Sequence, residues 1–116
     1  MKLIAFLIFF LLLPASGIRA QAPFYQGKTI TLIVGSGAGT AYDMYGRLLG
    51  NYIGKHIPGH PTIIAQNMPA AGGMAAATFV YEDAKPDGVT SASINPAHYF
   101  DQRQGSKEVK FDWTKS

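Results

Sequence analysis

Two glycine-bearing loops hold the residues with chemistry to offer. The first, Gly35-Ser36-Gly37-Ala38-Gly39-Thr40, has three positions without a Cβ, so a ligand can approach its main chain, and it is followed by Asp43. The second, Asn67-Met68-Pro69-Ala70-Ala71-Gly72-Gly73, is built in the same way. Each loop leads from a predicted strand toward a predicted helix. Free backbone N–H groups and the positive end of a helix dipole then gather at one place, which favours a small anion. Asp43 has two readings. It touches ligand, or it completes a capping box with Thr40, whose hydroxyl accepts the Asp43 N–H while the carboxylate reaches back to the Thr40 N–H. The cap is favoured, because a carboxylate beside an anion site repels the ligand.

Other chemistry fits poorly. A dinucleotide fingerprint needs glycine or alanine where Thr40 stands, and an acid at the end of the second strand where Gln66 and Asn67 stand. No Gly-Lys-Ser/Thr closes a phosphate loop. His56 and His60 are separated by Pro58-Gly59, so they cannot share a helix face as zinc ligands, and they read as solvated loop histidines; His98 stands alone near the end. Ser36 lies outside a G-x-S-x-G elbow and no motif supplies it with a base. The chain is therefore read as a non-enzyme without a cofactor or metal.

The elements that must position the loops follow from pattern. Lys28 to Val34 is β-branched and apolar on both faces, which suits a parallel strand covered on each side. Phe24 and Tyr25 are expected to pack beneath it, after which Gly27 turns the chain. From Thr40, Tyr45, Leu48, Leu49, Tyr52 and Ile53 recur at helical spacing, predicting a helix that lies on the sheet by that stripe and ends near His56, ahead of Pro58 and Gly59. Thr62 to Gln66 is a second strand, parallel to the first across a helical crossover. Alanine-rich Met74 to Asp83 is a second helix with a small-residue face. Lys85-Pro86-Asp87-Gly88 is a turn, and Val89 to Ile94 is a weaker third strand. Residues 95–116 show no period and read as loop and frayed end, with Phe111 and Trp113 lacking partners.

The chain has 116 residues, 47% of them hydrophobic, enough for one small domain. Residues 1–20 stand apart: Lys2, the apolar run Leu3 to Leu13, then Pro14-Ala15-Ser16-Gly17, the layout of a secretory signal peptide. The run is well short of the roughly 20 residues that span a bilayer. Cleavage is expected after Ala20, with Ala22 the alternative, which places the mature chain in the periplasm without cysteines to cross-link it. Loss of Lys2 and Arg19 leaves eight scattered cations against seven acids, so charge does not support nucleic-acid binding.

Phe24-Tyr25-x-Gly27-Lys28-x-Ile30-x-Leu32-Ile33-Val34, the first loop into Asp43, Arg47-Leu48-Leu49, Gln66-Asn67-Met68-Pro69-Ala70-Ala71-Gly72-Gly73 and Pro86-Asp87-Gly88 together resemble the N-terminal part of the Bug family, the extracytoplasmic solute-binding proteins of tripartite tricarboxylate transporters. The resemblance implies an α/β fold, a partial lobe of the periplasmic-binding-protein type II kind, with a mostly parallel sheet and flanking helices. Residues 21–94 would be the N-terminal part of the first lobe, and 95–116 an irregular segment before the rest of that lobe and a second lobe, both absent. It also implies a small carboxylate as ligand, membrane transporter subunits as partners, and ligand contacts from Ser36, Gly37, Ala38, Gly39 and Thr40, with Asp43, and from Ala70, Ala71, Gly72 and Gly73. Where members commonly have Pro-Phe or similar, Gly35-Ser36 stands here, so the ligand's identity does not transfer. One lobe alone would bind weakly. A nucleotide-binding α/β enzyme fragment and a secreted domain without a ligand are the alternatives.

Overall fold

The computed structural model describes residues 22–112 and Thr114. The expected signal segment, its cleavage site and Trp113 lie outside the described residues. Strand β1 (Thr29–Val34), helix α1 (Ala41–Ile53), strand β2 (Thr62–Asn67), a 3₁₀ turn (Ala70–Gly73), helix α2 (Met74–Thr78) prolonged by a π turn (Phe79–Asp83), strand β3 (Thr90–Ser93) and helix α3 (His98–Arg103) follow one another. The chain is α/β, with a three-stranded parallel sheet in the order β2-β1-β3 and flanking helices. Thr29 pairs with Thr62 and Val34 with both Asn67 and Ser93, so every strand ends at the same edge and both glycine loops leave from it. Among the described residues, no helix is long and apolar enough to cross a membrane.

The central strand explains its own composition. Ile30, Leu32, Ile33 and Val34 are all buried, Ile33 and Val34 completely, which requires cover on both faces of β1. On one face α1 lies against Leu32, Val34 and Ile63. Buried Ala76 and Ala77 supply the small-residue face expected of the second helix, with Met74 buried beside them.

Four expectations are corrected. Helix α1 buries Asp43, Gly46 and Gly50, whereas Tyr45, Leu48, Leu49, Tyr52 and Ile53 are exposed. The glycines let the helix backbone come so close to the sheet that a Cβ on Gly46 would lie 3.1 Å from Val34 Cγ2, and one on Gly50 3.1 Å from Ile63 Cγ2. Residues 95–116 are not all irregular, since His98–Arg103 forms α3, preceded by a turn in which the Asn95 side chain accepts the Ala97 N–H at 2.9 Å. Phe111 is not without partners: it is buried against Met74 and Ala77, with Ile94 and Val109 beside it. Phe24 is 57% exposed and does not pack under β1; its ring faces Lys28 Nζ at 3.2 Å, while the Tyr25 hydroxyl donates to the Gly88 carbonyl at 3.2 Å.

Candidate functional site

The first loop is built by Thr40, which sits in extended backbone as the residue before α1 and accepts the Asp43 N–H on its hydroxyl at 3.3 Å. The same hydroxyl lies 2.8 Å from the Gly37 carbonyl and 2.9 Å from Ser36 Oγ, which folds Ser36-Gly37 back over the helix start. The reciprocal half of the expected box is displaced by one residue. Asp43 Oδ2 accepts from the Gly39 N–H at 2.9 Å, and the Thr40 N–H goes to Gly37 O. Gly39 at φ +80° aims its amide at the carboxylate in a conformation that residues with a Cβ rarely adopt.

Asp43 is the hub of a ring. Its carboxylate also accepts from Arg47 Nε at 3.0 and 3.1 Å and from Asn67 Nδ2 at 2.7 Å. Arg47 Nη2 donates to Asn67 Oδ1 at 2.8 Å, and Asn67 Nδ2 donates also to Ser36 O at 3.0 Å. Three segments are thereby clamped together: the first loop, the first turns of α1 and the end of β2. The carboxylate is saturated by donors of the protein, and they hold it ionised. The Arg47 hydrogen bond, then Asn67, then the Gly39 amide draw its pKa from 3.8 down to about 2.

A depressed folded-state pKa contributes stability that is present above the unfolded value and is lost as pH falls through the folded one. The window here is pH 4 to about 2. The melting temperature of the wild-type protein is expected to drop across that window, and Asp43→Asn, which has no charge to lose, is expected to start lower and to lack this part of the decline. Parallel acid limbs would remove the ring from the stability of the loop.

The second loop is left-handed along three successive residues: Ala71 (φ 51°, ψ 42°), Gly72 (φ 63°, ψ 21°) and Gly73 (φ 96°, ψ −4°). Glycine takes this conformation freely, and alanine at a cost of about 1–2 kcal/mol. Buried His98 of α3 holds the turn from behind, with Nε2 3.1 Å from the Gly72 carbonyl and Nδ1 2.9 Å from Asp101 Oδ2.

The two loops touch through their backbones. A Cβ placed on Gly35 would be 3.3 Å from both Cα and O of Gly73, and one on Gly73 would collide with the Gly35 carbonyl. Sequence reasoning placed both loops at one sheet edge, and the structure brings them into contact there. Ala38, Gly39, Thr40, Ala70, Ala71 and Gly72 are exposed, Ser36 and Gly37 are half-buried, and Asp43 and Gly73 are buried. Arg47, Asn67 and His98 escaped that reasoning as site residues. Arg47 had a signal, being four residues after Asp43 on a helix; the partners of Asn67 are 20 to 31 residues away in the chain and the Gly72 carbonyl is 26 residues from His98, so these contacts leave no local trace.

Among the described residues, no group of three or more His, Cys, Asp or Glu is placed to hold a metal ion. His56 and His60 are exposed and apart from both loops. An open groove of about 640 Å³ runs along α1, lined by Tyr45, Gly46, Leu48, Leu49, Tyr52 and Ser93, and takes no residue from either loop. Compared with family models, with curated proteins and with solved structures, the chain matches none.

Proposed function

We propose that this chain captures a small carboxylate outside the cytoplasm, as the solute-binding component of a tripartite tricarboxylate-type transporter. The observation that carries this reading is the contact of Gly35 with Gly73, which joins two exposed, glycine-rich backbone loops at the carboxyl ends of parallel strands. Ligands of open parallel sheets sit at that edge. The first loop stands at the N-terminus of the thirteen-residue α1, whose dipole favours an anion.

On this reading the recognition groups are backbone amides of Ser36, Gly37 and Ala38 and of Ala70 to Gly73, while Gly39 and Thr40, whose N–H groups go to Asp43 and to the Gly37 carbonyl, keep the first loop in shape together with Asp43, Arg47 and Asn67. A nucleotide reading has less support, because Asn67 is engaged by Asp43 and Arg47 and no acid stands at the strand end for a ribose. In the family that the sequence resembles, a second lobe closes over the ligand. The open site of this chain alone is expected to bind in the millimolar range, on the order of 4 kcal/mol.

Amide chemical shifts report binding that weak. Titration of ¹⁵N-labelled protein with succinate and citrate should move the amides of Gly37, Ala38 and Gly72 together along saturating curves. Gly37→Val is the discriminating variant, since Gly37 has ordinary φ and only Thr40 Cγ2, at 3.9 Å, near its added Cβ. The variant should fold normally and bind at least about tenfold more weakly, a loss of about 1.4 kcal/mol. Shifts confined to other residues, or unchanged affinity in Gly37→Val, would move the ligand away from these loops.

A further inference from the structure

The outer face of α1 has no use in the reading above and is strongly apolar. Tyr42, Met44, Tyr45, Leu48, Leu49, Tyr52 and Ile53 are between 39% and 71% exposed, and together they offer on the order of 800 Å², about what one partner contributes to an interface of standard size. Turned away from the sheet, Ala41, Tyr45, Leu48 and Tyr52 follow at spacings of four, three and four. That is the seam along which one helix packs against another at a shallow angle.

We propose that two copies of this chain pair through α1, the helices antiparallel about a two-fold axis at Leu48. An isologous interface must be complementary to itself. The seam meets this condition closely: Leu48 faces the partner's Leu48, and Tyr45, three residues before the axis, lies within about 1.5 Å of the level of the partner's Tyr52, four residues after it, near enough for the two rings to meet. Charge does not oppose the pairing. The only ionised side chains within α1 are Asp43 and Arg47, and they are bonded to each other. Lys55 follows the helix over the Tyr52 ring, and in the pair the two Lys55 residues lie roughly 20 Å apart along the helix axes, beyond the screening length at physiological salt. A lipid surface fits less well, because helices that lie in membranes carry a lysine- and arginine-rich polar face, and the face of α1 opposite the seam is Asp43, Gly46 and Gly50 against the sheet.

The chain has no cysteine, which makes the arrangement directly testable in the full chain purified as the cell delivers it. Sedimentation velocity from about 1 to about 100 µM should show a monomer–dimer equilibrium, and Leu48→Glu, which sets two carboxylates on the axis, should weaken it on the order of 100-fold with the circular dichroism unchanged. Under mild oxidation Leu48→Cys should cross-link rapidly, and Asn51→Cys, exposed on the same helix but a quarter turn off the seam, slowly. Tyr45→Lys should dissociate the pair, and Tyr45→Lys combined with Tyr52→Glu should restore it through salt-sensitive contacts. A monomer at every concentration, a dimer indifferent to Leu48→Glu, or equal cross-linking at positions 48 and 51 would overturn the proposal. So would a monomer whose seam instead binds anionic lipid vesicles and loses them on Leu48→Glu, since the face would then belong to a membrane.

Discussion

Gly73→Ala is expected to destabilise the protein by about 3 kcal/mol or more, a large part of the 5–15 kcal/mol that holds a domain folded. Two costs add. At φ +96° an L side chain is strained by about 1–2 kcal/mol, and the new methyl meets the Gly35 carbonyl, a backbone atom that cannot rotate away. Gly72→Ala separates the two, because Gly72 is also left-handed, at φ +63°, but its Cβ would enter open space. It should cost about 1–2 kcal/mol and no more. Urea unfolding of the three proteins measures the difference, read from midpoints at constant slope. Equal losses in the two variants would mean that the loops are not in contact, and the site proposed at their junction would go with them. If Gly73→Ala remains folded at low temperature, its anion affinity should fall as well, since separated loops no longer present their amides to one ligand.

The strands and their order along the chain were legible because their signals are local. Lys28 to Val34 carries apolar residues on both faces, with Ile30, Leu32 and Val34 on one and Ile33 on the other, and only a central strand covered on both faces has a use for that; Ile33 and Val34 are fully buried accordingly. The loops were legible as glycine clusters between periodic segments. Their mutual contact was not, because Gly35 and Gly73 are joined by nothing that a sequence pattern records. The same holds for the Asp43–Arg47–Asn67 ring and for His98, whose role rests on a carbonyl 26 residues away. Ala71 gave no signal either: alanine at φ +51° contradicts its own preference, and only the flanking glycines hint that the turn is left-handed. Helix α3 was missed because Asn95-Pro96 reads as a turn and six residues are too few to show a period. Phe111 belongs with it, since the partners that bury it lie more than thirty residues earlier, in Met74 and Ala77.

The orientation of α1 shows how a correct helix can be given the wrong inner face. Hydrophobic periodicity weighs side chains, and glycine has none, so the stripe of Tyr45, Leu48, Leu49, Tyr52 and Ile53 outweighs Gly46, Gly50 and Gly54. Those three repeat every fourth residue, the spacing that lets a backbone approach its neighbour closely. A Cβ on Gly54 would be 2.8 Å from the Pro61 carbonyl, and one on Gly50 3.1 Å from Ile63 Cγ2, so the whole strip is in contact with the sheet or the turn into β2. Mutation distinguishes the two orientations sharply. If the aromatic stripe were the core, Leu49→Ala would cost the 2–5 kcal/mol of a buried leucine and Gly50→Leu would be harmless. With Leu49 52% exposed and Gly50 buried, the reverse is expected. Leu49→Ala should change monomer stability by about 0.5 kcal/mol, measured at concentrations low enough to exclude self-association. Gly50→Leu must push α1 away from Ile63 and should lose about 3 kcal/mol, even after the gain of about 1 kcal/mol from replacing glycine within a helix. Gly50→Ala is expected to be near neutral, because that gain is set against a shift of a few tenths of an ångström at Ile63. A Gly50→Leu protein as stable as wild type, together with a severe loss in Leu49→Ala, would turn the helix over, and the apolar seam proposed for pairing would then be the core of the monomer.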